Sequence, residues 1–133
     1  MAKVDRQIYH GQTTKSRHFG DALKHALHGI LTAFFLEANV RRQVLVFIVA
    51  VVLAVWLNIP MFQLAIVLVA SAAVMTMELL NSSLEALADA VHPEYDQRIQ
   101  KSKDMAAGAV LLVSLAALFV GIAIFGPPLL ALL

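Results

Sequence analysis

The fold is decided by 34 consecutive residues without a single charge, VLVFIVAVVLAVWLNIPMFQLAIVLVASAAVMTM, residues 44–77. As one helix this stretch would be about 50 Å long, well beyond the roughly 30 Å of a bilayer core. Asn58, Ile59 and Pro60 interrupt it with residues that are typical of turns. The stretch therefore predicts two membrane-spanning helices, over residues 41–57 and 61–80, joined by a tight loop.

A third span is predicted over residues 106–125, an apolar run that stops at Gly126-Pro127-Pro128. The composition agrees with a membrane protein. Of the 133 residues 60% are hydrophobic and 14% are charged, against about 25% charged in soluble domains. The absence of cysteine from the sequence excludes disulfides and thiolate metal sites. A net charge of +1 provides no basic surface for nucleic acid.

The sequence before the first span is of two kinds. Residues 1–18 are a polar lead-in that lacks the apolar core of a signal peptide. Residues 19–37 predict an amphipathic helix, which beside membrane spans should lie in the interface plane. Its apolar positions recur every three or four residues: Phe19, Ala22, Leu23, Ala26, Leu27, Ile30, Leu31 and Phe34. Residues 1–133 are thus read as a single all-α membrane domain.

Charge placement predicts the orientation of this domain. All ten Lys and Arg lie in residues 1–42 or 98–103, which a three-span topology puts on one side of the membrane. The positive-inside rule then places the N-terminus and the polar segment 81–105 in the cytoplasm. The C-terminus is expected outside.

Four polar residues, Glu78, Asn81, Glu85 and Asp89, follow the second span at helical spacing. They fall within about 80° of one helix face, at about 100° per residue. Acids in one line repel each other unless a cation sits among them, and hard oxygen ligands suit Mg²⁺. The alternative is a solvated polar face, which is favoured for Asp89. For Glu78 a functional role is favoured, because carboxylates at the membrane edge are costly.

Two further groups of polar residues are predicted to lie on the same side of the membrane. Glu37 either pairs with Arg41 along the helix or shares a metal with an acid of the second span. Lys103 either meets a phosphate or anchors the third span, and Asp104 could hold Lys103 or a metal. The intervening segment also contains the acids and tyrosine of Glu94-Tyr95-Asp96.

Taken together, these residues are compatible with phosphoryl transfer from a nucleotide to a hydroxyl in the lipid layer. The sequence contains neither GxxxxGK[ST] nor GxGxxG, so a nucleotide site would be of another kind. From the residues alone this reaction is one possibility among several.

The chain resembles a known family, the small bacterial integral-membrane diacylglycerol kinases, which also include undecaprenol kinases. The signature E-x-x-N-[ST]-[AS]-[IL]-E-x-x-x-D is similar to ELLNSSLEALAD, residues 78–89. The segment Lys103-Asp104-Met105 resembles the K-D-M of the family. Glu37 and Arg41, with Gly29 upstream, resemble its E-x-x-x-R stretch. The similarity covers roughly residues 18–126.

The resemblance implies a homotrimer of three-span protomers in the bacterial cytoplasmic membrane, with sites shared between neighbours. It implies an ATP- and Mg²⁺-dependent lipid kinase. The implied roles are Glu78 as general base at the lipid substrate and Asn81 as the residue that orients either Glu78 or the transferred phosphoryl group. Glu37 and Glu85 would hold the Mg²⁺ of ATP, and Arg41 would lie near the lipid headgroup. Nucleotide contacts are implied for Glu94, Tyr95, Asp96, Lys103, Asp104 and His25, the last at a place where relatives usually carry an aromatic residue.

Two lipid alcohols remain open as substrate. The Glu94-Tyr95-Asp96 segment is similar to the diacylglycerol enzymes, which form phosphatidic acid. Residues 37–41, His92-Pro93 and residues 106–111 are similar to the undecaprenol enzymes, which form undecaprenyl phosphate. Diacylglycerol is the nominal expectation.

A hypothesis of another class is a non-catalytic membrane subunit, or a proton path with Glu78 as relay. A path needs polar residues along the spans, and the third span has only Ser114. The polar groups instead collect at one side, which favours a surface reaction.

Overall fold

The structure, a computed structural model, describes residues 19–132 as four α-helices. They are α1 (Phe19–Leu36), α2 (Ala38–Trp56), α3 (Met61–Val91) and α4 (Gln97–Leu130). The described residues fall into two units, which divide between Thr32 and Ala33. The polar lead-in predicted for residues 1–18 lies outside the described residues.

The first helix, α1, has no buried residue. Its large apolar side chains, among them Leu23, Leu27 and Leu31, are about half exposed. An exposed apolar stripe on a helix is what a position in the membrane interface requires. The helix ends at Leu36 because Glu37 takes an extended conformation, with φ −98° and ψ 118°, so the predicted end at residue 37 is one residue late.

The turn between α2 and α3 forms where the sequence predicts it. Asn58 has a left-handed φ of 52°, a conformation that asparagine tolerates better than most residues. The amides of Asn58 and Ile59 donate to the carbonyls of Val55 and Ala54, at 3.1 and 2.9 Å. This pattern is a Schellman motif, which satisfies carbonyls left free at the helix end. Pro60 is the N-cap of α3, which begins at Met61.

Helices α3 and α4 are much longer than the apolar spans predicted within them. At 31 and 34 residues they are about 46 and 51 Å long, so each extends beyond a 30 Å bilayer core. The polar segment 81–105, expected to contain a sizeable loop, is helical except at residues 92–96. The helical spacing of the acids explains why α3 continues past its apolar span. The cap at Asp96 explains why α4 begins before its own apolar span.

The end of α4 also differs from the prediction. Helix α4 passes through Pro127 and Pro128 and ends at Leu130, although Gly126-Pro127-Pro128 was predicted to stop the span. The two prolines lie in the last turn of α4. Each removes one amide donor there, and because the helix ends at Leu130, few further helical hydrogen bonds are affected. The amide of Ala131 still donates to the carbonyl of Pro127, at 3.1 Å.

The second unit has a narrow core and a wide apolar surface. Helix α3 packs against both α2 and α4. Only four apolar residues are buried within the described range, namely Val40, Ala54, Val67 and Ile124. Three helices, α2, α3 and α4, are long and apolar enough to cross a membrane. Exposed apolar helices of this length are stable only in lipid or against other apolar surfaces, and the protein is therefore a multi-pass membrane protein.

Candidate active site

One face of α3 carries an apolar wall that gives way to polar residues. Residues 67, 71, 74 and 75 line a cleft, and 78, 81, 85 and 89 continue the same face toward the end of the helix. At about 100° per residue all eight positions fall within roughly 120° of the helix circumference. The residues of α3 that line the cleft therefore lie on the same helix face as the predicted site residues.

The cleft lies between α2, α3 and α4 and has a volume of about 660 Å³. Nearly all of its lining is apolar, for example Phe47 from α2, Val67 from α3 and Phe125 from α4. The polar exceptions are Gln43, Ser71 and Ser114. A space of this size and polarity accommodates a hydrocarbon chain.

Glu78 lies where the apolar wall ends. It is 3% exposed and is the one buried charged or polar residue between Phe19 and Leu132. The cleft residues Val74 and Met75 stand one turn before it on the same face. Neither ion pair of the described residues includes Glu78. A buried carboxylate without a fixed cation is costly, and this position is typical of a functional group.

Asn81 joins the next acid on this face. Its Nδ2 donates to Oε1 of Glu85 at 2.9 Å, which fixes the carboxylate one turn along the helix. The Oδ1 of Asn81 is enclosed and has no hydrogen-bond partner among the described residues. Buried carbonyl oxygens are almost always paired, so this oxygen indicates a donor or a cation that completes the site.

The oxygens of Asn81 and Glu85 fit the preference of Mg²⁺ for hard ligands. From residue 19 to residue 132, no three His, Asp or Glu side chains converge closely enough to hold a metal ion. Glu37, the other predicted ligand, lies at the start of α2. The pairing of Glu37 and Glu85 on one metal stays a prediction.

Lys103 and Asp89 connect α4 to α3. The Nζ of Lys103 donates to Oδ1 of Asp89 at 2.8 Å, across the connection between the helices. The side chain of Asp89 is 70% exposed, which agrees with the solvated face favoured for it, and the sequence did not indicate its ion pair with Lys103. Asp104, which was considered as a partner of Lys103, instead accepts a hydrogen bond from Gln100 at 2.8 Å.

Asp96 is the cap of α4. Its carboxylate accepts from the backbone amides of Arg98 and Ile99, at 2.7 and 3.3 Å. It also pairs with the guanidinium of Arg98, at 3.1 Å. The side-chain hydrogen bond from Arg98, with the two backbone amides, lowers the pKa of Asp96 to about 2. The carboxylate that the resemblance assigned to the nucleotide is already engaged in capping.

A groove of about 430 Å³ lies beside this cap, at the start of α4. Tyr95 and Asp104, both predicted nucleotide contacts, line it, and Glu94 is exposed next to Tyr95. Sequence reasoning missed the other lining residues: Gln97, Arg98, Gln100 and Lys101. The available signal was the pair of Asp96 and Arg98, an acid and a base two residues apart in the polar segment.

Arg41 does not form the ion pair with Glu37 that was one of the two alternatives for Glu37. Its Nη1 donates to the carbonyl oxygen of Phe35 at 2.9 Å and to that of Phe34 at 3.3 Å. These carbonyls belong to the last turn of α1, where backbone acceptors lack partners within the helix. Arg41 therefore closes a helix end, and its placement near a lipid headgroup stays a prediction.

His25 and Gln43 are two further polar residues, the first exposed and the second with a buried side-chain oxygen. His25, the predicted nucleotide contact on α1, is exposed and belongs to the first unit, and its role stays a prediction. Gln43, on α2, has a buried Oε1 without a partner among the described residues.

The fold and this arrangement define an integral-membrane protein with a buried acid at the border of an apolar cleft and a polar network. Residues 24–125 match the family described as "Prokaryotic diacylglycerol kinase". The chain therefore belongs to the prokaryotic diacylglycerol kinase family, and lipid kinase is the enzyme class of that family. The family resemblance drawn from the sequence is confirmed.

Individual relatives agree with the family assignment. A "Diacylglycerol kinase" of Synechocystis sp. is 34% identical over 113 residues, which is 84% of this chain and 65% of the relative. One of Escherichia coli K12 is 33% identical over 89 residues, covering 67% of this chain and 73% of the relative. One of Pseudomonas aeruginosa is 33% identical over 101 residues, covering 76% and 81%. The chain thus spans just under two thirds of the Synechocystis protein.

Proposed function

We propose that the protein transfers the γ-phosphoryl group of ATP to the hydroxyl of a membrane lipid alcohol, in a reaction that depends on Mg²⁺. The nominal substrate is diacylglycerol, which would give phosphatidic acid. The observation that carries the proposal is the position of Glu78, a buried carboxylate between the apolar cleft and the polar network of α3. A lipid alcohol, which has a hydrocarbon part and a hydroxyl, would use both sides of that border.

The proposed step assigns the proton to Glu78. As the lipid oxygen forms its bond to the γ-phosphorus, the hydroxyl proton passes to the Glu78 carboxylate. The bond between the γ-phosphorus and the bridging oxygen breaks, and ADP leaves with its electron pair. Proton transfer by a positioned base contributes about 10²–10⁴-fold to such reactions. The remaining acceleration comes from positioning and charge neutralisation.

Phosphoryl transfer also needs positioned groups that neutralise charge, and the polar network of Asn81, Glu85 and Lys103 would provide them. Asn81 and Glu85 are held together by a hydrogen bond of 2.9 Å, and Lys103 stands on the neighbouring helix. Mg²⁺, when bound with ATP, would neutralise charge on the phosphate oxygens. Glu85, with Glu37, would hold it, and Lys103 would contact a phosphate as a point charge. Asn81 would keep Glu85 in one orientation.

The hydrocarbon part of the substrate has a proposed place in the cleft. Its apolar lining and its approach to Glu78 along one face of α3 support this placement. The relatives named above are diacylglycerol kinases, which supports diacylglycerol. The resemblance of residues 37–41 and 106–111 to undecaprenol enzymes makes undecaprenol the alternative. We also propose the cytoplasmic orientation of the polar end and the homotrimer that the resemblance implies.

The test is transfer of labelled phosphate from ATP to lipid in mixed micelles, with diacylglycerol and undecaprenol in separate tubes. Glu78→Gln keeps the shape of the side chain and removes the base, so turnover should fall at least 100-fold with ATP binding retained. Ser83→Ala is the matched control, because Ser83 is exposed and lies about 140° away around α3. It should keep normal turnover.

Each result decides one part of the proposal. Label in one lipid, lost in Glu78→Gln and kept in Ser83→Ala, supports the kinase and selects the substrate. Near-normal turnover in Glu78→Gln would remove Glu78 as the base. A folded protein that labels neither lipid would contradict the proposed reaction.

A further inference from the structure

The contact between Lys103 and Asp89 is the one described ion pair that joins two helices of the polar end. The ammonium and the carboxylate oxygen are 2.8 Å apart, although the residues are 14 positions apart in sequence. The side chain of Lys103 is only 25% exposed, whereas that of Asp89 is 70% exposed. Lysine has a flexible four-carbon side chain. In Lys103 most of this side chain is shielded and its Nζ is paired with Asp89, so the ammonium is held in one position.

Asp89 is not the only carboxylate within reach of that face. Glu85 precedes Asp89 by four residues, and side chains at this spacing are neighbours on a helix. One oxygen of Glu85 already accepts a hydrogen bond from Asn81. If Asp89 lost its charge, Glu85 would be the nearest anion for the ammonium on this face of α3, and the lysine would turn toward it.

We propose that Asp89 is a positioning residue, which holds the ammonium of Lys103 away from Glu85 and in place for the phosphates of a nucleotide. This inference rests on the proposed function, in which Lys103 contacts ATP. It assigns to Asp89 a role that acts through Lys103 and not through the substrate. Exposed ion pairs contribute little to stability, so the pair is better explained by orientation than by folding.

The substitution Asp89→Asn tests this role because it keeps the shape of the side chain and removes the charge. Binding of ATP is measured by equilibrium dialysis in micelles, with Mg²⁺ present and without lipid, so that turnover does not contribute. Asp89→Asn should weaken ATP binding about tenfold, the size expected when one charged contact to a phosphate is misplaced. Asp89→Glu, which restores the carboxylate, should bind ATP within about threefold of the unaltered protein.

A double-substitution cycle separates positioning from a general structural effect. In a Lys103→Met background, Asp89→Asn should have no further effect on ATP binding, because the group it positions is gone. Asp21→Asn is the matched control, since Asp21 lies on α1 and belongs to neither described ion pair. It removes the same charge and should leave ATP binding unchanged.

The outcomes distinguish this inference from the proposed function. Failure of the unaltered protein to bind ATP would contradict the proposed function itself. Normal ATP binding by the unaltered protein and by Asp89→Asn would overturn the positioning role alone. An equal loss on Asp89→Asn with Lys103 present and with Lys103→Met would also overturn it, because Asp89 would then act without Lys103.

Discussion

Substituting Asn81 by alanine should separate the stability of this protein from its activity. The change removes the 2.9 Å hydrogen bond to Glu85, and a bond to a charged group contributes about 1.5–3 kcal/mol. It also removes the enclosed, unpaired Oδ1 of Asn81, which costs about 1–3 kcal/mol to bury. The two effects oppose each other, so the free energy of unfolding should change by less than about 2 kcal/mol.

The effect of Asn81→Ala on activity is not offset in this way. Without Asn81 the carboxylate of Glu85 is no longer fixed, and the whole contribution of the hydrogen bond is lost in the reacting complex. A loss of about 1.5–3 kcal/mol corresponds to roughly a 10- to 150-fold decrease in kcat/KM, at 1.36 kcal/mol for each factor of ten. We therefore expect an Asn81→Ala protein that is about as stable as the unaltered one and far less active.

The measurement pairs two assays on the same preparation. Thermal unfolding followed by circular dichroism reports stability in micelles, and transfer of labelled phosphate to lipid reports kcat/KM. The control is Ser83→Ala, on another side of α3 at nearly the same depth. A large loss of stability with activity retained would refute the reasoning, because Asn81 would then be a structural residue with a satisfied carbonyl.

Two further predictions concern other polar groups of the second unit. Gln43→Leu removes a buried, unpaired carbonyl from an apolar cleft. The free energy of unfolding should rise by about 1–3 kcal/mol, which a higher midpoint of thermal unfolding would report. A lower midpoint would mean that the amide has a partner. The carboxyl of Asp96 should titrate near pH 2 rather than its usual 3.8. Its charge-dependent capping of α4 is therefore fully present above about pH 4 and lost as the pH falls through 2. In NMR titrations Arg98→Gln should move this midpoint upward, and an unchanged midpoint would exclude the Arg98 hydrogen bond as the main cause.

The spans and the acid stripe could be read from the sequence because each depends on local spacing. An uncharged run too long for one span and a turn at Asn58-Ile59-Pro60 are sufficient to predict the helical hairpin of α2 and α3. The common face of Glu78, Asn81, Glu85 and Asp89 follows from about 100° per residue once the segment is helical. The structure has this helix without interruption from Met61 to Val91.

Partner choice among the polar residues could not be predicted in the same way. Arg41 had a carboxylate four residues away but donates to the carbonyls of Phe34 and Phe35, because the end of α1 leaves backbone acceptors within its reach. Asp96 was assigned to a nucleotide but caps α4. In both places, free backbone groups at helix ends competed with the side-chain pairs that spacing suggested.

The sequence alone determined three properties, because hydrophobicity and helical periodicity act along the chain. These are the membrane class, the number of spans and the alignment of the acids on one helix face. Tertiary structure decided that Asp89 holds Lys103, that Glu78 is buried, and that the cleft opens on the same face of α3. Those features depend on which helices pack together and at what register. Contacts between distant residues follow from packing in space and not from their spacing in sequence.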